Sequence, residues 1–337
     1  MGSEEGSQGL IPQDLAPAGG EPFGSSTVGG VIPFADRLAA LVEERRSQIV
    51  LGLDPDPAAL WQVAVGAVRD RQASPAELTA AAVELHCKAA IDAAGPACVA
   101  IKPQLACFER LGAPGIAALY AVAGAAREAG LLVLADGKRG DVPVTARAYA
   151  QFLTGSTPGE FGEVPGLGAD AFTVNPLLGR DSLEPFVEAA RQAGACVFCL
   201  VRTSNPGAAD VQDLPAPTDP VHEQLARIVD ELGADTTSAC GLSDVGAVTG
   251  ATRPEMLGRL RELMPRSIFL LPGVGAQGGS VELLGPAFAP HPAAALVTAS
   301  RSIVDAYRSA SGVDPAVAAA NAAESLRDTA WALSSPS

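Results

Sequence analysis

Eight short apolar runs recur along the chain, and segments of helix-forming composition separate most of them. The runs are Ile49–Leu53, Ala97–Ile101, Leu131–Ala135, Ala171–Val174, Cys196–Val201, Val245–Val248, Ile268–Leu271 and Ala294–Thr298. A near-continuous apolar run of this length is the pattern of a strand covered on both faces, as in a parallel sheet. The intervening stretches Pro75–Ala94, Ile116–Ala129, Leu183–Ala193, His222–Leu232 and Pro254–Met264 are rich in Ala, Leu, Glu and Arg, which favour helix. Gly95, Gly130, Gly194 and Gly233 follow four of these helical stretches directly, where a C′ cap is expected. Eight alternations of strand and helix predict an α/β chain folded as a (β/α)8 TIM barrel. The Ala-rich segment Pro315–Leu333 then reads as a closing helix, and residues 31–337 as one catalytic domain.

Residues 1–30 stand apart. They are Gly-, Ser- and Pro-rich, carry Glu4, Glu5 and Glu21, and read as a flexible tail with neither the basic region nor the apolar core of a signal peptide. No apolar stretch reaches the roughly 18 residues of a membrane span. The net charge of −15 argues against non-specific nucleic-acid binding, which needs a basic footprint, but leaves room for a small anion held by local cations. Cys196 and Cys199 form a C-x-x-C inside an apolar run. Positions three apart in a strand face opposite sides, so core packing is expected there rather than a metal clamp or disulfide. His86, His222 and His291 show no ligand spacing. These features point to a reduced, cytoplasmic protein that binds neither metal nor membrane. Two loops are long: Gly155–Gly168, a surface excursion, and Asn205–Pro220, which has the length and position of a lid.

Polar residues sit at or just beyond the end of nearly every run: Asp54, Lys102, Asp136, Asn175, Ser204, Gln277 and Arg301. In barrels of this kind chemistry gathers at the C-terminal ends of the strands, so seven such residues in phase predict one site. The richest segment is Leu134–Asp141, Leu-Ala-Asp-Gly-Lys-Arg-Gly-Asp. If the strand continues through it, Asp136 and Lys138 share a face. Burying that pair is expensive without further partners. By the same alternation Arg139 and Arg202 point away from the site and read as structural. Asn175 either orients the charged residues or caps the turn before Pro176. Pro272–Gly279 has four glycines, which let backbone N–H groups approach an anion closely, and Arg301 at the next strand end offers a bidentate phosphate contact.

The chain resembles the orotidine 5′-phosphate decarboxylase family, in particular its longer, actinobacterial-type branch. The resemblance runs from about Phe34 to Tyr307. It is carried by Gly-Leu-Asp-Pro at 52–55, Ile-Lys-Pro-Gln at 101–104, Ala-Asp-Gly-Lys-Arg-Gly-Asp-Val at 135–142, Thr-Val-Asn-Pro at 173–176, Val-Arg-Thr-Ser-Asn-Pro at 201–206 and Leu-Pro-Gly-Val-Gly-Ala-Gln-Gly-Gly at 271–279. It implies a cofactor-free decarboxylation of orotidine 5′-monophosphate to UMP by a homodimer. Lys102, Asp136, Lys138 and Asp141 would form the catalytic charge network, with Asp141 and Thr145 crossing the interface into the partner's site. Asp54 would contact the ribose, Ser204 the pyrimidine, and Gln277 with Arg301 the phosphate. Gly137 stands where the family usually carries Ala.

The residue types suit that chemistry. Loss of CO2 from C6 leaves an sp2 carbanion with no adjacent carbonyl to delocalise it, so preorganised cations in a dry site must stabilise the charge. A lysine can do this and then protonate C6. Two alternatives stay open on the sequence. One is a related D-x-K phosphosugar barrel, of pentulose-phosphate decarboxylase or hexulose-phosphate synthase type, which would use Mg²⁺. The other is a nucleotide-binding barrel without catalysis.

Overall fold

In a computed structural model that describes residues 31–236, 238–275, 278–310 and 312–334, eight parallel strands close into a barrel in sequential order. The strands are β1 Ile49–Leu53, β2 Ala100–Pro103, β3 Leu132–Arg139, β4 Ala171–Val174, β5 Cys196–Arg202, β6 Val245–Thr249, β7 Phe269–Leu271 and β8 Ala295–Ala299. The expected tail, residues 1–30, lies outside the described residues, as does Gln277.

Alternation along the strands divides two packed layers that the uniformly apolar sequence conceals. Ile49, Leu51, Val133, Phe172, Val197 and Val297 face the surrounding helices. Val50, Ala100, Leu134, Phe198, Leu270 and Leu296 fill the barrel. Cys196 belongs to the inner layer and Cys199 to the outer, so the C-x-x-C is core, as its spacing requires. Burial pushes the Cys199 thiol up to about 12 and raises that of Cys196 well above its ordinary value.

The helix Phe34–Arg45 was not anticipated from the sequence. Its Phe34, Leu38 and Val42 recur at helical spacing and close the end of the barrel away from the strand C-termini. The Phe34 ring meets Phe198 edge-on at 6.3 Å. Helices Gly112–Glu128 and Arg180–Ala193 begin a turn earlier than expected, and Pro143–Leu153 is an additional helix. The closing helix spans Pro315–Ser334. Residues 254–264 divide into a 3-10 turn, Pro254–Met256, and the helix Leu257–Leu263. The excursion at 155–168 contains a hairpin pairing Ser156–Gly159 with Gly162–Pro165.

Gly130 (φ 68°) and Gly194 (φ 65°) follow their helices with the expected left-handed backbone. Gly95 (φ −53°) and Gly233 (φ −84°) remain right-handed, contrary to expectation. Gly95 leads directly into a 3-10 turn, Gly95–Ala97, and that turn moves the start of β2 from the expected Ala97 to Ala100.

Candidate functional site

The strand C-termini open into a cavity of about 740 Å³. Asp54, Lys102, Asp136, Lys138, Asn175, Ser204 and Arg301 all line it, from loops and strand ends that the sequence spaces far apart. Asp141 and Thr145 do not. They lie beyond the end of β3, where Asp141 Oδ1 accepts the Val142 N–H at 2.8 Å and Thr145 is exposed.

The centre of the site is one carboxylate held between two ammonium groups. Lys102 Nζ donates to Asp136 Oδ2 at 2.6 Å, and Lys138 Nζ donates to Asp136 Oδ1 at 2.6 Å. The Lys102 and Asp136 side chains are each 7% exposed while Lys138 is 43% exposed, so Lys138 is the member most open to the cavity. Burial opposes ionisation of Asp136, but Lys102 and Lys138 beside it outweigh that and hold its carboxyl well below the usual range. Lys102 is likewise disfavoured by burial, yet Asp136 and Asp54 hold its ammonium above its ordinary value. Both groups are therefore charged at neutral pH, and the charges compensate each other in a dry setting.

The backbone explains how Asp136 and Lys138 share a face. The β3 register against β4 shifts between Ala135 and Arg139, a bulge, and Lys138 takes a left-handed conformation with φ 47°. At the step between them, a Cβ on Gly137 would stand 2.7 Å from Leu105 Cδ1 and 3.2 Å from Arg139 Nε. The space an alanine methyl would take is thus occupied by neighbours. Arg139 leans away from the cavity, pairs with Glu109 and lies 5.5 Å over the Tyr149 ring, which fits its structural reading.

Two further residues complete the network and were not singled out in the sequence. Thr173 Oγ1 donates to Asp136 Oδ1 at 2.8 Å and accepts the Lys138 N–H at 2.9 Å. Gln104 Nε2 donates to Asp136 Oδ2 at 3.2 Å. Counting by twos finds both, since Thr173 lies two before Asn175 and Gln104 two after Lys102. Asn175 itself takes the turn role: its Oδ1 accepts the Leu177 N–H at 3.0 Å.

The loop after β5 is tied down at its root. Arg202 grips Asp213 with two hydrogen bonds, Nε to Oδ1 at 2.8 Å and Nη2 to Oδ2 at 3.0 Å. Gln212 Oε1 accepts the Thr203 N–H at 2.8 Å, and its carbonyl accepts the His222 N–H at 2.9 Å. Ala208, Val211 and Gln212 thereby face the cavity. A Cβ on Gly250 would fall 2.8 Å from the Ser204 backbone, so glycine at the end of β6 lets the Ser204 turn close in. One strand further on, the loop after β7 folds on itself: the Gly275 N–H donates to Gly279 O at 2.9 Å and the Gly279 N–H to Gly273 O at 3.0 Å. It abuts Ser302, next to Arg301, where a Gly275 Cβ would stand 3.0 Å from Ser302 Cβ. Among the described residues no group of three His, Cys, Asp or Glu side chains could hold a metal ion.

A closed barrel whose strand C-termini bring a lysine-flanked carboxylate, a glycine-rich loop and an arginine around one cavity has the layout of a TIM-barrel enzyme. The chain belongs to the orotidine 5′-phosphate decarboxylase / HUMPS family, whose model matches residues 47–314. It is 42% identical over 278 residues to an orotidine 5′-phosphate decarboxylase of Rhodopirellula baltica, covering 82% of this chain and 90% of that one. The corresponding protein of Deinococcus radiodurans is 40% identical over 295 residues, covering 88% and 96%. Among solved structures, the OMP decarboxylase of Leishmania donovani superposes with a TM-score of 0.65 at 32% identity, covering 89% of this chain and 99% of that one. The UMP synthase of the same organism gives 0.66 at 32%, and there this chain covers 57% of the other's length.

Proposed function

We propose that the chain carries out the reaction named for its family, decarboxylation of orotidine 5′-monophosphate to UMP in pyrimidine biosynthesis, with Lys138 as general acid. The family description joins two groups, so membership alone does not choose between the decarboxylase and the phosphosugar reading; the names of relatives at 40–42% identity over most of the chain do. The observation that carries the mechanism is the Asp136 carboxylate clamped at 2.6 Å by each of two lysines, of which Lys138 is the more open to the cavity.

Arg301, with Gln277 from the glycine-rich loop, binds the phosphate. Ser204 reads the pyrimidine and Asp54 the ribose. Binding at the remote phosphate orders the loops and excludes water. As the C6–CO2 bond breaks, its electron pair stays on C6 beside the Lys138 ammonium, which stabilises the charge and then transfers a proton to that carbon. Asp136, itself held by Lys102, keeps the Lys138 ammonium aimed.

The working unit in this reading is a homodimer with shared sites. Asp141 and Thr145 lie outside this chain's own cavity, in a segment that also exposes Val142 (53% exposed) and Val144 (84% exposed). The compartment in this reading is the cytoplasm, since all six cysteines are free and no described helix is long and apolar enough to cross a membrane.

Loss of orotidylate absorbance on adding the purified chain, with chelator present, tests the reaction. Lys138→Ala is expected to lower kcat by about 10³ or more while UMP still binds. A variant that keeps near-normal kcat would remove Lys138 from the mechanism.

A further inference from the structure

We infer that Thr173 is the positioning residue for the Lys138 ammonium: one hydroxyl sets the Asp136 carboxylate and the Lys138 backbone together. This rests on the decarboxylase reading above and adds to it a residue on the neighbouring strand. On β4, Phe172 and Val174 point into the helical layer, which leaves Thr173 facing the cavity at 1% exposure. A hydroxyl has one proton to give and lone pairs to accept with. Thr173 uses both on β3, donating to Asp136 Oδ1 at 2.8 Å and accepting the Lys138 N–H at 2.9 Å. Those two contacts bracket the bulge. Lys138 Nζ returns to the same Asp136 Oδ1 at 2.6 Å, so hydroxyl, carboxylate and lysine backbone form one closed circuit.

The circuit matters because nothing in the local sequence holds the turn. Lys138 is left-handed at φ 47°, a conformation that a residue with a Cβ adopts only at a steric cost. The preceding Gly137 adds no side chain of its own to fix the path. An anchor from outside β3 is therefore required, and Thr173 reaches both the backbone and the carboxylate. Both of these hydrogen bonds go to β3 at the charged centre, so its contribution falls on the chemical step and not on substrate binding.

The test compares Thr173→Val, which keeps the shape and removes the hydroxyl, with Thr173→Ser, which keeps the hydroxyl. Turnover of orotidylate by the full chain gives kcat and KM, and calorimetry gives UMP affinity. The expected result is a kcat lowered about tenfold or more in Thr173→Val, with KM and UMP affinity within about threefold, and Thr173→Ser recovering most of kcat. If Thr173→Val does not fold, Thr173→Ala against Thr173→Ser isolates the hydroxyl in the same way. The inference is overturned if kcat is unchanged in Thr173→Val, if Ser and Ala behave alike, or if the loss falls on KM alone. A wild-type chain that never turns over orotidylate defeats the functional reading by itself, before any variant is compared.

Discussion

Lys138 shows at the scale of a single residue what the sequence could and could not convey. Its partnership with Asp136 follows from two-residue spacing in a strand, and that expectation held. Its left-handed backbone does not follow from any spacing, because Asp-Gly-Lys-Arg-Gly reads equally well as a loop and the bulge exists only through pairing with β4. Gly137 is informative for the same reason. It is not among the residues with positive φ, so an alanine can adopt its backbone, and the obstacle is the tip of Leu105 at 2.7 Å. A flexible side-chain end can rotate aside. Gly137→Ala is therefore expected to change stability by about 1 kcal/mol or less, the strain being offset by a stiffer unfolded chain. A urea melt checks this, and a loss of several kcal/mol would show that the Leu105 and Arg139 packing cannot yield.

Among elements, all eight strands were legible because runs buried on two faces are the strongest apolar signal a barrel emits. Their ends were less so. The 3-10 turn Gly95–Ala97 is as apolar as the strand it precedes, so β2 begins three residues later than hydrophobicity suggests. The helix Phe34–Arg45 was hidden by its place ahead of the first strand, although Phe34, Leu38 and Val42 keep helical spacing. The loop after β5 was recognisable by length, and its anchor was not, since Arg202 and Asp213 lie eleven residues apart in a segment without periodicity. That pair carries a prediction. The Arg202 side chain is 5% exposed, so Asp213→Ala leaves a buried guanidinium without its carboxylate and is expected to cost about 3 kcal/mol. Exchanging both residues together, Arg202→Met with Asp213→Leu, should recover much of that loss. A thermal melt of Asp213→Ala matching the wild type would show that the loop root is held by other contacts.

For the whole molecule, the shared-site proposal makes the charge network the property of two chains. Within one chain Lys102, Asp136, Lys138, Thr173 and Gln104 meet, while Asp141 and Thr145 stand outside the cavity in a segment that exposes Val142 and Val144. Composition was of little help at this scale; it limited the partners but could not indicate an interface. The most direct test is subunit exchange. Lys138→Ala and Asp141→Ala, each nearly inactive alone, are mixed under conditions that exchange subunits. A two-fold dimer with shared sites places both lesions in one site of each heterodimer and leaves the other intact, so about a quarter of wild-type turnover should return. No recovery, with exchange demonstrated independently, would contradict the shared site.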